Sequence, residues 1–194
     1  VRTRAASLAL GQAVRSVQRG DEAWVLLSGG ATSLVAAPID GIGVDDLEWL
    51  FAHVVRSGLD IHATNRIRKR FARWGAGRLA VALDGAAIRL FVVSDVVGDD
   101  LLAIGSGPCV PDPSTAAEVR AALEGTPLWA DLPAALRTHL AQVESGKLPE
   151  TPKPEAPVFD SVTGTVISSN RTAVLGAARQ AEDLGFETVV NSKP

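Results

Sequence analysis

Apolar residues recur at helical spacing from Ala6 through Leu10, Ala13, Val14 and Val17, and Gly20 supplies a stop. The segment "AWVLLS" then reads as a short buried strand, with Val25, Leu26 and Leu27 facing a core. Helical spacing returns over residues 44–57 through Leu47, Leu50, Phe51, Val54 and Val55, ending at Gly58. "ATNRIRKRFARW" is a further helix, crowded with Arg66, Arg68, Lys69, Arg70 and Arg73. "AIRLFVVSD" is the clearest strand, β-branched and apolar almost throughout, as expected of one covered on both faces. Helices are predicted at about 114–124, with Ser114 as N-cap, and at about 132–144. Residues 145–158, "SGKLPETPKPEAPV", form a proline-rich connector without periodicity, expected to lie extended over the surface. "TGTVISSN", "RTAVLGAARQAEDLGF" and "ETVVNS" close the pattern as strand, helix and strand.

Strands that alternate with helices, and lack in–out alternation themselves, predict a three-layer α/β/α sandwich around a mainly parallel sheet. Ligands of such sheets bind outside the carboxyl ends of the strands. Three strands end alike, in Ser28-Gly29-Gly30, Ser94-Asp95 and Ser168-Ser169-Asn170. These ends are expected to line one rim.

Composition narrows the function classes. The 194 residues suffice for one sizeable core, and 46% hydrophobic with 21% charged residues is an ordinary globular balance. A net charge of −3 argues against general attraction to nucleic acid or to an anionic membrane. No apolar run approaches the roughly 18 residues of a membrane span. A single cysteine, Cys109, leaves no intramolecular disulfide and fits the reducing cytoplasm. The chain starts at Val1 without a methionine and without the apolar core of a signal peptide, so an excised piece of a cytoplasmic protein is the expectation.

Candidate chemistry concentrates on the rim. In "SGGATS", glycines expose backbone N–H groups while Ser28, Thr32 and Ser33 add hydroxyl donors, a combination that suits an anion; a merely tight turn would also explain Gly29 and Gly30. "SDVVGDDLLAIGSGPCVPDPST" crowds Asp95, Asp99, Asp100 and Asp112 around glycines. Such carboxylates hold Mg²⁺, accept a hydroxyl proton, or simply cap turns. Asp95 directly follows a strand and is expected to point at the site. The basic helix is either a solvated face or a source of cations for the rim, and cations facing carboxylates suit phosphoryl transfer. Two alternatives carry less. "GAGRLA" satisfies a dinucleotide pattern but follows a helical stretch instead of a strand, and no spacing pairs Cys109 with His53, His62 or His139.

Taken together, "LLSGGATSL", "DIHATNRIRKRFARWGAGRLA", "SDVVGDDLLAIGSGPCVPDPST", "LPETPKPEAPVF" and "ISSNRTAV" resemble, in order and over about residues 24–190, the catalytic domain of the class II glycerate kinases. The resemblance implies a Rossmann-like domain, ATP and Mg²⁺ as cosubstrate and cofactor, and phosphorylation of D-glycerate to 2-phosphoglycerate. It implies catalytic roles for Asp95, Asn65 and Arg68, with Asp95 and Asp99 as metal ligands. Ser28, Gly29, Gly30, Thr32, Ser33, Lys69, Ser106, Gly107 and Asn170 become the phosphate- and substrate-binding set. It also implies one domain over residues 1–194, an N-terminal Gly-Lys segment and a C-terminal MOFRL domain elsewhere in the same polypeptide, and it leaves a homodimer open. The chain departs from the family pattern at Ala31, Thr32, Arg70, Ala72 and Gly75, the last where the family carries a lysine. Those departures keep two further readings open: an NAD(P)-dependent hydroxypyruvate reductase, and a diverged, non-catalytic ligand-binding domain.

Overall fold

The computed structural model describes residues 2–191. Its framework is a three-stranded parallel sheet in the order β1 (Glu22–Ser28), β2 (Ala87–Val93) and β3 (Val162–Ser168). Parallel pairing requires long crossovers. α1 (Arg2–Ser16) precedes β1; α2 (Ala31–Leu34), α3 (Val44–Val54), α4 (Ile61–Phe71) and α5 (Arg78–Ala82) connect β1 to β2. α6 (Ala116–Glu124), α7 (Leu128–Asp131) and α8 (Ala134–Glu144) connect β2 to β3, and α9 (Asn170–Asp183) follows. The α/β class and the parallel sheet expected from the sequence are both present.

Register brings the strand ends level. Ser28 pairs with Val93, Val93 with Ser168, and the Ser94 N–H donates to the Ser168 carbonyl at 2.8 Å. The expected rim therefore exists.

Apolar burial falls into two clusters. Leu50, Val54, Ile67, Phe71, Leu123 and Leu140 join α3, α4, α6 and α8, while Leu27, Ile88, Leu90, Val92 and Leu79 pack one sheet face, with Leu10 and Val14 of α1 against them. Several expectations need correction. β2 is not covered on both faces: Ile88, Leu90 and Val92 are buried, while Ala87, Arg89 and Val93 are exposed. The face carrying Trp24, Leu26 and Val93 stays open among the described residues, with Leu26 77% exposed. Val55, expected in the core, is 66% exposed just beyond the end of α3. The α6 N-cap is Thr115, not Ser114, because Thr115 and Glu118 close a capping box while Ser114 turns inward. The strand expected at "ETVVNS" does not form over 187–191, where Val189 is 93% exposed and buries nothing; Ser192 and Val1 lie outside the described residues.

The largest departure concerns the basic helix and the connector. Lys69 and Arg70 do not join a solvated face. Lys69 Nζ lies 2.9 Å from Asp112, and both side chains are almost wholly buried. Asp112 also accepts from the Ser114 N–H and hydroxyl and, at 3.0 Å, from the Thr151 hydroxyl. Arg70 pairs with Glu150 and donates to the Ser114 carbonyl; Lys153 donates to the carbonyls of Asp112 and Ser114. Thus the connector is drawn inward through Glu150, Thr151 and Lys153. Arg78 donates to the carbonyls of Lys69, Arg70, Ala72 and Gly75, so a guanidinium closes the negative end of α4.

These contacts set the titration. Burial would raise the Asp112 carboxyl, but the Lys69 hydrogen bond and charge, with Ser114, outweigh it and hold it below the ordinary range. Burial lowers Arg78 to about 10, with Arg70 adding to the shift. Burial, then the charges of Arg78 and Arg70, push His139 down to about 4 from an ordinary 6.5. His139 packs edge-on against Phe71, 5.7 Å between ring centroids.

Asp112→Asn leaves a buried lysine unpaired and is expected to cost about 3–5 kcal/mol in urea unfolding. The paired replacement Lys69→Met/Asp112→Asn, which removes the buried ammonium and keeps an acceptor for Ser114 and Thr151, should recover part of that loss. For His139, the unfolded chain binds a proton between pH 6.5 and about 4 while the folded chain does not, so stability falls as pH drops through that window. Denaturation of His139→Phe across the same range should give a flatter profile than the parent.

Candidate functional site

β1 ends at Ser28, and the chain then turns through Gly29 and Gly30 into the single turn of α2. The two glycines are bare for different reasons. Gly30 has φ +76° with open space where a Cβ would go, so its requirement is conformational. At Gly29 a Cβ would overlap the Asp95 carboxylate. Asp95 thus reaches across from the end of β2 to the loop after β1, as its place in the sequence suggested, and it is exposed.

Beneath this loop lies the turn Ile104–Ser106, followed by Gly107. Gly105, Ser106 and Gly107 all have positive φ, at +57°, +65° and +59°. Ser106 is 4% exposed, and its Oγ lies 2.7 Å from Thr32 Oγ1. The Gly107 carbonyl accepts from the Gly77 N–H at 2.8 Å, and a Cβ there would meet Val110 at 2.9 Å. Gly107 is therefore an interior hinge of the loop and offers no surface to a ligand. Thr32 and Ser106 line a pocket of about 240 Å³ with Leu26, Trp74 and Gly75.

α4 supplies the cation. Arg68 Nη2 donates to the Ser33 hydroxyl at 3.4 Å, and the guanidinium lies over the Phe51 ring, 4.4 Å from its centroid. Nε is buried without a partner, burial lowers the pKa, and no carboxylate pairs with Arg68 among the described residues. A half-buried arginine that lacks an acidic partner is a place for an anion. Asn65 sits one turn earlier on α4, half-buried. Ser33 and Phe51 also line a groove of about 820 Å³ between α1 and residues 36–44, with Arg4, Arg15 and Arg73 along it.

The structure thus brings together Gly29 with Asp95, Thr32 with Ser106, and Ser33 with Arg68. Ser28 is exposed at the strand end, and Asn170 opens α9 at the end of β3, about 10 Å away as two strand spacings require. Lys69 is not with them; its ammonium belongs to Asp112. Of the other acids, Asp100 caps the Leu102 N–H at 2.9 Å, while Asp99 is half-buried with φ +55°. Among the described residues no three His, Cys, Asp or Glu side chains converge as a metal cage. Cys109 is buried with its thiol pushed up to about 12, which removes it as a nucleophile. "GAGRLA" follows α4 and opens α5, so it lacks the strand–turn–helix setting of a dinucleotide loop. The helical pattern groups Phe51 with core positions, and nothing in its spacing marks its place beneath Arg68.

Gly30→Ala should lose about 1–2 kcal/mol from the left-handed backbone alone. Gly29→Ala should be the more damaging of the two. Adding Asp95→Gly to it should restore stability in chemical denaturation, whereas the same addition should leave Gly30→Ala unchanged.

Comparison with known proteins identifies the family. Residues 2–141 match the family described as a domain of unknown function, DUF4147. The chain is 35% identical over 173 residues to a glycerate 2-kinase of Pyrococcus horikoshii, covering 89% of this chain and 38% of that one. It is 33% identical over 188 residues to human glycerate kinase, covering 96% and 35%. A crystal structure of a glycerate kinase from Thermotoga maritima superposes with a TM-score of 0.77 at 26% identity, over 94% of this chain and 42% of that one. A crystal structure of a Pyrococcus horikoshii protein gives a TM-score of 0.80 at 32% identity, covering 93% and 41%. The chain spans well under half the length of each. It belongs to the DUF4147 family and is a homologue of the corresponding part of the glycerate kinases.

Proposed function

We propose that this chain forms part of the active site of a glycerate 2-kinase, which transfers the γ-phosphoryl group of ATP to the 2-hydroxyl of D-glycerate. The observation that carries the reading is Arg68, half-buried, without an acidic partner among the described residues, and hydrogen-bonded to a hydroxyl of the glycine-rich loop. An anionic oxygen satisfies it. The names of the relatives supply the reaction class.

In this reading Arg68 and the hydroxyls of Ser28, Thr32 and Ser33 bind and orient phosphate or carboxylate oxygens, with Asn65 beside them. Asp95 accepts the proton of the glycerate 2-hydroxyl as its oxygen bonds to the γ-phosphorus and the bond to the ADP oxygen breaks. Mg²⁺ in such reactions is held by one or two carboxylates, with substrate oxygens and water completing its shell; if the exposed Asp95 held it, with Asp99 four residues on, Asp95 would do so in place of taking the proton. Bound there, it would neutralise charge on the phosphates. Lys69 and Gly107 hold the scaffold, and Asn170 lines the far side of the rim. In this reading the rest of the machinery, including a MOFRL-type domain closing over the rim, belongs to other parts of the full-length protein. No helix among the described residues is long and apolar enough to cross a membrane, and a cytoplasmic enzyme is the setting we propose.

Full-length protein, assayed by ADP release with ATP, Mg²⁺ and a panel of hydroxy acids, should turn over D-glycerate and give a 2-phosphate by phosphorus NMR. Arg68→Gln should lower kcat/KM by about 10²-fold or more in a protein that unfolds at the same urea concentration. No turnover of any hydroxy acid by the parent, or a fully active Arg68→Gln variant, would sink this assignment.

A further inference from the structure

Ser106 is too deep to touch a ligand at the rim, at 4% exposed, yet the backbone is strained to put it where it is. Its φ of +65° is one that a residue with a Cβ adopts only at a cost, and glycines on both sides share the left-handed conformation. The surroundings are close. A Cβ on Gly75 would come 3.3 Å from the Ser106 Cβ, and one on Gly105 would come 2.7 Å from Leu27. Besides the backbone bonds that its carbonyls accept from Ala76 and Gly77, the turn makes one side-chain hydrogen bond among the described residues, 2.7 Å between Ser106 Oγ and Thr32 Oγ1.

Two hydroxyls carry two protons, and the bond between them uses one. Were Thr32 the donor, the Ser106 proton would remain in the interior. The pocket around it is otherwise lined by groups such as Leu26, Leu27, Val35 and Trp74, which offer it no side-chain acceptor. A buried donor left unpaired is costly, so the favourable arrangement has Ser106 donating and Thr32 accepting. Thr32, the half-buried member, then keeps its own proton for whatever binds at the loop.

We infer that Ser106 is a positioning residue that fixes the Thr32 hydroxyl as a hydrogen-bond donor, so that the loop selects an unprotonated oxygen, as on a phosphate or carboxylate, over a ligand N–H or O–H. The inference rests on the anion-binding reading of the rim.

The test uses full-length protein with Ser106→Ala, Ser106→Gly, Thr32→Val and the double variant Thr32→Val/Ser106→Ala. ATP kinetics are read beside calorimetric binding of inorganic tripolyphosphate, which does not depend on turnover. Ser106→Ala should weaken tripolyphosphate binding and raise the KM for ATP by about tenfold, with kcat changed by less than about twofold. Ser106→Gly should bind as poorly as Ser106→Ala while unfolding at higher urea, since glycine relieves the left-handed strain. In the Thr32→Val background, Ser106→Ala should cost no further affinity. A merely structural serine predicts the reverse: Ser106→Gly binding like the parent, or two losses that add. Either result overturns the inference, as does a parent that binds no tripolyphosphate. A parent that binds it but phosphorylates no hydroxy acid would sink the kinase assignment and leave the coupling between Thr32 and Ser106 measurable.

Discussion

Lys69 and Asp112 meet 2.9 Å apart almost wholly out of water, and the placement of the rim depends on that contact. On a helix, consecutive residues point about 100° apart. Arg68, Lys69 and Arg70 therefore cannot share an environment. With Lys69 held by Asp112 and Arg70 by Glu150, α4 has little freedom to roll, and Arg68 is left facing Ser33 and Phe51. Buried ion pairs are a poor source of net stability compared with apolar packing. What this one contributes is direction. Asp112 is satisfied only when Lys69, Ser114 and Thr151 are all in place, which ties the start of α6 and the proline-rich connector to α4 at once.

The network holds more cations than carboxylates, and backbone dipoles make up the difference. Arg78 spends its donors on four carbonyls around the end of α4, and Lys153 on the carbonyls of Asp112 and Ser114. Left-handed backbone is the second recurring device. Ala76 and Ser106, both with positive φ, meet through the Ala76 N–H and the Ser106 carbonyl at 2.8 Å, with Gly77 and Gly107 bonded alongside. Two strained turns thus brace each other directly beneath the loop that follows β1. That bracing holds Ser106 against Thr32 from inside while Asp95 rests on Gly29 from outside.

Local signals made most of the fold legible. Helical spacing located α1, α3 and α4, the β-branched run located β2, and three polar strand ends located the rim. Long-range pairing was not legible. "RIRKR" has the same letters whether its charges face water or Asp112 and Glu150, and those acids stand 43 and 80 residues beyond their partners. Ser114 looks like an N-cap in sequence, and it loses that role because Asp112 two residues earlier takes its hydroxyl. At the candidate site, the approach of Asp95 to the glycine-rich loop could be expected from their places at neighbouring strand ends. The reason for Gly29 could not, because the group that forbids its side chain arrives from another strand.

The open sheet face has a consequence for how this polypeptide behaves in solution. Trp24, Leu26 and Val93 present apolar surface beside one another, broken mainly by the ion pair between Arg89 and Glu22. Parallel sheets are ordinarily covered on both sides. Water over such a face is released when two faces meet, and excluded salts such as sulfate strengthen that drive. Among the described residues the polar interruption of this face is Arg89, held by Glu22 and the Thr163 hydroxyl, so a change that removes the arginine leaves the surface of Trp24, Leu26 and Val93 more continuous and more prone to such contact.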